Sequence, residues 1–209
     1  MTKGKSRGQG SLFIVSAPSG AGKTTLCRKI METLDNLQAS VSYTTRKPRA
    51  EEIAGVDYTF ITEKKFRGMI DKGDFVEWAE VHGNLYGTSR KRLEQIIASG
   101  HDVILDIDTQ GARQIKKSYG NGVFIFILPP SMTVLRNRLE RRMSNTREDM
   151  ERRLKRAVEE IREYKMYDYV IVNDRLNSSL RNFESIILAE RQRSTKKDSA
   201  WVEKNIIRR

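Results

Sequence analysis

Short continuous apolar runs alternate along the chain with segments whose apolar residues recur at helical spacing. Leu12-Phe13-Ile14-Val15 is the first run. A run this short, bounded by turn residues, predicts a strand buried in a parallel sheet. Past Gly22 the pattern changes, and Leu26, Ile30 and Leu34 recur four residues apart, as on one face of a helix. Three later runs repeat the strand signal: Val103-Ile104-Leu105-Asp106-Ile107, Val123-Phe124-Ile125-Phe126-Ile127-Leu128 and Tyr169-Val170-Ile171-Val172. Pro129-Pro130 stops the second of these. Helices are predicted over 132–142, 147–163 and 176–193. Residues 38–88 differ. Val41-Ser42-Tyr43-Thr44-Thr45 and Asp57-Tyr58-Thr59-Phe60-Ile61 alternate as exposed strands do, with a Pro- and Arg-bearing loop between them. A short helix over 63–71 and a strand over 75–81 follow. The order predicts an α/β fold, with a mostly parallel core sheet flanked by helices and a small mixed β insertion.

Composition narrows the setting. The 209 residues suit one domain, over 11–193, with a polar, Gly-rich tail at 1–10 expected to be disordered and a basic tail at 194–209. No apolar run approaches the ~20 residues of a membrane helix, and no apolar segment follows the basic N-terminus. A soluble, cytoplasmic protein with no membrane partner is therefore expected. Cys27 is the single cysteine. It has no partner for a disulfide or a cysteine-based zinc site, and reads as a buried structural thiol. The net charge of +12 is concentrated in an Arg-rich stretch over 136–156 and in the C-terminal tail. Such charge favours anionic partners, either nucleic acid or small phosphorylated molecules.

The motifs decide between them. Ala17-Pro18-Ser19-Gly20-Ala21-Gly22-Lys23-Thr24, followed by Thr25, lies between the first strand and the first helix. Apart from Ala17 at its first position it matches the G-x-x-x-x-G-K-[ST] phosphate loop. Gly20 and Gly22 permit a tight turn and leave room for phosphate oxygens. The loop N–H groups and the helix N-terminus present positive charge to the anion. Lys23 can bridge the outer phosphates of ATP, and the Thr24 hydroxyl can ligate Mg²⁺. Such a loop calls for an acid at the end of a neighbouring strand, and Asp106 fits as a second Mg²⁺ ligand. If that strand continues, Asp108 shares its face.

Further motifs specify the acceptor. Ser42-Tyr43-Thr44-Thr45-Arg46-Lys47-Pro48-Arg49, Asp57-Tyr58-Thr59-Phe60, Phe75-Val76-Glu77-Trp78, Leu85-Tyr86-Gly87-Thr88 and Leu105-Asp106-Ile107-Asp108 occur in that order. Together with the phosphate loop, Pro129-Pro130-Ser131 and Ile171-Val172-Asn173-Asp174, they make residues 11–193 resemble the guanylate kinases. The resemblance implies transfer of the ATP γ-phosphoryl group to GMP, with dGMP left open as a second acceptor. It implies a core over 11–37, 89–135 and 164–193, a GMP-binding insertion over 38–88 and a helical lid over 136–163. Arg46, Arg49, Tyr58 and Tyr86 stand where the family holds the GMP phosphate. Two arginines supply forked donors and two phenols supply hydroxyls, which suits a phosphate dianion. Glu77 stands where the family reads guanine, supported by Ser42, Thr88 and Asp108, with Asp106 nearby. A carboxylate can accept both N1–H and the exocyclic amine of guanine, whereas adenine offers a lone pair at N1. Arg142 and Arg153 match the lid arginines, with Arg138 and Arg141 adjacent; family members often carry a basic residue where this chain has Glu140. Asn173 and Asp174 fall where the family borders adenine. Nucleic acid is not expected as the main partner.

Overall fold

The computed structural model describes residues 9–81, 83–141, 146–196 and 199–208. The tail expected at 1–10 lies outside them except for its end: Gly10 is buried and donates its N–H to the Ile97 carbonyl at 2.9 Å. Packed structure therefore begins before residue 11.

In chain order the elements open with β1 (Leu12–Ser16), α1 (Lys23–Thr33), β2 (Leu37–Ala39), β3 (Tyr43–Thr44) and β4 (Thr59–Phe60). Then come α2 (Glu63–Asp71), β5 (Phe75–Val81), β6 (Asn84–Ser89), α3 (Arg90–Ala98), β7 (Asp102–Asp106) and α4 (Thr109–Ser118). Next are β8 (Val123–Leu128), α5 (Met132–Glu140), α6 (Arg147–Arg162), β9 (Tyr169–Val172) and α7 (Leu176–Arg191), followed by short helical turns at Ser194–Lys196, Ser199–Val202 and Glu203–Ile207. The described residues form two sheets, one in the order β2-β7-β1-β8-β9 and one in the order β4-β3-β6-β5. Every pairing in the first is parallel; the second is mixed, with β3 parallel to β4 and antiparallel to β6.

Alternation along the core strands divides their side chains between two helical layers. Phe13, Val15, Ile104, Ile125 and Ile127 pack on α1 and α7 through Leu26, Ile30, Phe183 and Ile187. Leu12, Ile14, Leu105, Phe124 and Phe126 pack on α3 and α4 through Leu93, Ile97, Ala112 and Ile115. Strands buried on both faces explain the uninterrupted apolar runs. The chain crosses to opposite sides of β1 to reach β7 and β8, so a crevice opens at the carboxyl end of β1, where open α/β sheets bind ligands. Among the described residues no helix is long and apolar enough to cross a membrane.

The expected strands over 41–45 and 57–61 shrink to two residues each. The reason is local: the Thr44 hydroxyl accepts the Arg46 N–H at 3.2 Å, turning the chain out of the strand. The elements β2, β6, α3 and α4 have no counterpart in the hydrophobic pattern read above. In α4 a glycine in the first turn, Gly111, weakens the helical signal. The Asp108 side-chain cap and the burial of Ala112 and Ile115 hold that helix.

Candidate functional site

β1 delivers the chain into residues 17–22, and α1 takes it up at Lys23. Gly20 and Gly22 adopt φ of 91° and 96°, in the left-handed region. Gly22 caps α1 and carries no side chain of its own, so the first-turn N–H groups are left to an anion. The loop is braced from behind. Asn173 is buried, and its Nδ2 donates to the Ala21 carbonyl at 2.7 Å. Arg138 donates to the same carbonyl at 3.2 Å and to the Asn173 carbonyl at 2.9 Å. A Cβ on Gly22 would collide with the Asn173 amide. Gly22→Ala is therefore expected to cost about 2 kcal/mol, lowering Tm by about 4–8 °C in a chain of this size. A thermal melt reads this directly, and an unchanged Tm would show that the brace can yield.

Lys23 Nζ lies 2.6 Å from Asp106 Oδ1 and donates to the Ile107 carbonyl at 2.7 Å. The Thr24 hydroxyl donates to Asp106 Oδ2 at 3.2 Å. The parallel register, with Val15 opposite Asp106, sets the acid beside the loop that leaves β1. These contacts place Asp106 with the phosphate loop rather than with the residues expected to hold GMP. The strand does not continue to Asp108. β7 ends at Asp106, and Asp108 turns to cap α4, accepting the Gly111 N–H at 2.9 Å. The two acids thus do not share a strand face, because the second is spent on a helix cap. Asp108 nonetheless lines the cleft that holds Lys23.

The second sheet gathers the other predicted residues. The Arg46 guanidinium lies over the Tyr58 ring, 5.4 Å from its centroid, and Nε donates to the Tyr86 hydroxyl at 3.1 Å. Tyr58 and Tyr86 meet edge-on with centroids 5.9 Å apart. Glu52, which the sequence pattern did not single out, holds Arg46 at 2.6 Å and accepts the Arg49 N–H at 2.8 Å. The Glu52 hydrogen bond raises the Arg46 pKa, and Arg46 holds the Glu52 carboxyl below its ordinary value. Arg49 is exposed on the same loop. Ser42 is half-buried just before β3, its carbonyl accepting the Thr59 N–H at 2.8 Å.

Glu77 is only 7% exposed. The buried Thr88 hydroxyl donates to its Oε1 at 2.6 Å. Burial pushes the Glu77 carboxyl up to about 7; the Thr88 hydrogen bond opposes this, and the charge of Asp108 adds to it. A buried carboxylate carries two acceptor oxygens, which suits a ligand with paired N–H donors.

The lid residues divide. Arg153, on α6, donates to the Ser19 hydroxyl at 3.0 Å. A cleft of about 810 Å³ opens between the loop and α6. Arg156 and Glu160 also line it, paired at 3.1 Å, and neither stood out from the other charges of the sequence. Arg141 caps the end of α5 and lines a smaller hollow of about 330 Å³ with Thr25 and Asp174. Asn173 borders that hollow, but its amide braces the loop. Arg142 lies outside the described residues, as does His82. Cys27 is on the buried face of α1, and burial pushes its thiol pKa far up, as befits a structural residue.

A parallel sheet with this loop on its central strand is the architecture of the phosphate-loop kinases. The family model for guanylate kinase matches residues 9–190. The chain belongs to the guanylate kinase family. It is 55% identical over 186 residues to guanylate kinase of Geobacter metallireducens, covering 89% of this chain and 92% of that protein. Guanylate kinase of Clostridioides difficile is 43% identical over 196 residues, covering 94% and 96%. The crystal structure of guanylate kinase from Anaplasma phagocytophilum superposes with a TM-score of 0.74 at 34% identity, covering 95% of this chain and 96% of that one. The resemblance read from the motifs is thereby borne out.

Proposed function

We propose that the chain transfers the γ-phosphoryl group of ATP to GMP, yielding ADP and GDP. The observation that carries this reading is the buried Glu77–Thr88 pair, packed against the start of α4, where Asp108 lines the cleft that contains Lys23. Residues 17–25 hold the ATP phosphates, and Asp174 with Asn173 borders the base. Arg46, Arg49, Tyr58 and Tyr86 hold the GMP phosphate. Glu77 accepts N1–H and the 2-amino group of guanine, with Ser42, Thr88 and Asp108 around it. On this reading residues 38–88 are the acceptor-binding unit and 136–163 the lid.

A GMP phosphate oxygen is already anionic near neutral pH, so no general base is needed. It attacks the γ-phosphorus as the bond to the β-bridging oxygen breaks, and ADP leaves. Lys23 and Arg153, with Arg142 from the lid, neutralise the charge spread over the transferring group. Lid closure excludes water and aligns the two nucleotides.

The donor set fits Mg²⁺. Thr24 and Asp106 offer two hard oxygens beside the phosphate loop. Among the described residues no group of three or more His, Cys, Asp or Glu could cage a metal alone. That matches an ion held by one or two protein oxygens and the substrate phosphates. Bound there, Mg²⁺ would offset phosphate charge and orient the β- and γ-oxygens.

Measuring ADP formation from ATP and Mg²⁺ with each nucleoside monophosphate tests the reading. GMP is expected to stimulate strongly, and AMP, CMP and UMP by ~10²-fold less or weaker still. A folded protein that GMP does not stimulate would sink it. The same assay with dGMP reports whether the ribose 2′-hydroxyl matters. The cytoplasm is the setting such a reaction calls for, where both nucleotides are available.

A further inference from the structure

β5 is the end strand of the second sheet, and among the described residues it pairs with β6 alone. Helix α4 covers its other edge. The Gln114 amide lies along the strand: Oε1 accepts the Trp78 N–H at 3.1 Å, and Nε2 donates to the Trp78 carbonyl at 2.9 Å. One turn further along α4, the Ser118 hydroxyl lies 3.2 Å from the Val76 carbonyl and 2.7 Å from the Gln114 carbonyl, so its one proton is shared between strand and helix. Residues two apart on a strand direct their backbone groups to the same edge. Val76 and Trp78 are therefore both tied to α4, and the residue between them is Glu77.

The support falls where the strand is irregular. The register with β6 shifts by one between Phe75 and Glu77. Such a bulge disrupts the local ladder and re-aims side chains. Phe75, Val76 and Glu77 are buried in succession, which strict alternation on a half-exposed strand would not give. The same helix begins at Asp108, and a Cβ on Gly111 would lie 3.0 Å from Glu77 Oε2. One helix thus fixes the backbone on both sides of Glu77 and carries Asp108 at its start.

We propose that Gln114 is a positioning residue for base selection, holding Glu77 in register with Asp108, and that Ser118 is a second anchor. The proposal rests on the reading of Glu77 as the guanine acceptor. To meet N1–H and the 2-amino group together, both carboxylate oxygens must be aligned. Hypoxanthine, the same ring without the amine, needs only one of them. Loosening β5 therefore penalises GMP more than IMP.

The test uses the full chain carrying Gln114→Leu, which keeps the side-chain bulk and removes the hydrogen-bonding atoms. Steady-state kcat and KM are measured for GMP, IMP and ATP. The expected result is a loss of about 10-fold or more in kcat/KM for GMP. The preference for GMP over IMP should fall by a similar factor, with the KM for ATP unchanged. Ser118→Ala should move the preference the same way by a smaller factor. An unchanged preference in a folded Gln114→Leu protein would overturn the proposal. So would equal losses for ATP and GMP, which would make α4 only a structural support. Glu77→Gln separates the two layers of the argument. If it collapses the GMP preference and Gln114→Leu does not, the positioning role fails while the reading of Glu77 stands. If Glu77→Gln leaves the preference intact, the reading fails and the proposal with it. Should Gln114→Leu not fold, Gln114→Ala and Ser118→Ala carry the same comparison.

Discussion

Lys23→Met is expected to lower kcat by about 10³-fold or more while leaving the fold intact. In the free protein the Lys23 ammonium spans Asp106 and the Ile107 carbonyl. These contacts hold it at the mouth of the loop, where it can pass to the outer phosphates of ATP without a large rearrangement. Removing it leaves nothing of equal charge at that point. Arg153 reaches the loop through Ser19, from the opposite wall of the cleft. The stability change should be small, because both partners of the Lys23–Asp106 pair keep access to water, with side chains 17% and 33% exposed. Kinetics and a thermal melt on the same sample check both halves. Lys23→Arg should not restore activity, since a planar fork does not replace a compact ammonium inside a tight backbone loop. A variant that kept more than a tenth of its kcat would remove Lys23 from the chemistry.

Glu77→Gln is expected to reduce kcat/KM for GMP by about 10²–10⁴-fold and to leave ATP binding unchanged. An amide keeps one acceptor and turns a donor toward the guanine amine. Stability should move the other way. Burial raises the Glu77 carboxyl from 4.5 to about 7, so the folded chain holds this proton more tightly than the unfolded one. Its contribution to stability is fully present below about pH 4.5 and is lost as pH rises through about 7. At pH 8 the carboxylate is a buried charge awaiting its ligand. The free Gln variant should then be more stable than the parent by about 3 kcal/mol, about 6–12 °C in Tm. At pH 5 that difference should have largely gone. GMP needs the ionised form, so parental affinity for GMP should weaken as pH falls below about 7. The phosphate ionises near pH 6 in both proteins, so the difference between their pH profiles isolates Glu77. Titration calorimetry with GMP and with ATP over that range checks the claim, and a loss of both ligands together would make Glu77 structural.

Stability is thus set aside at two points of the site for readiness. Glu77 keeps a carboxyl where burial raises its pKa to about 7, and Gly22 keeps a left-handed bend that any other residue would resist. Arg46 shows another solution: Glu52 holds its guanidinium in place.

The sequence by itself determined the parts whose signals are local. A buried parallel strand must be apolar on both faces, so Leu12-Phe13-Ile14-Val15 and its later counterparts were legible as runs. A phosphate loop needs glycine at positions of left-handed backbone and a lysine beside them, and Gly20, Gly22 and Lys23 stand in that order. The residues for the acceptor came from motif resemblance, and the family match bears out the identity they implied. Tertiary structure alone decided which charges meet. Glu51 and Glu52 are alike as sequence, yet Glu52 is the one that reaches Arg46. Asp106 and Asp108 would share one face only if the strand ran on, and the end of β7 sends one to Lys23 and the other to cap α4. Asn173, expected at the border of the adenine, also braces the loop from 152 positions away. Gln114 carried no signal at all, because its role depends on a bulge in a strand 36 residues distant. Periodicity and backbone chirality act between near neighbours and so leave a mark in the sequence. Hydrogen bonds between remote segments form only once the chain has folded, and they leave none.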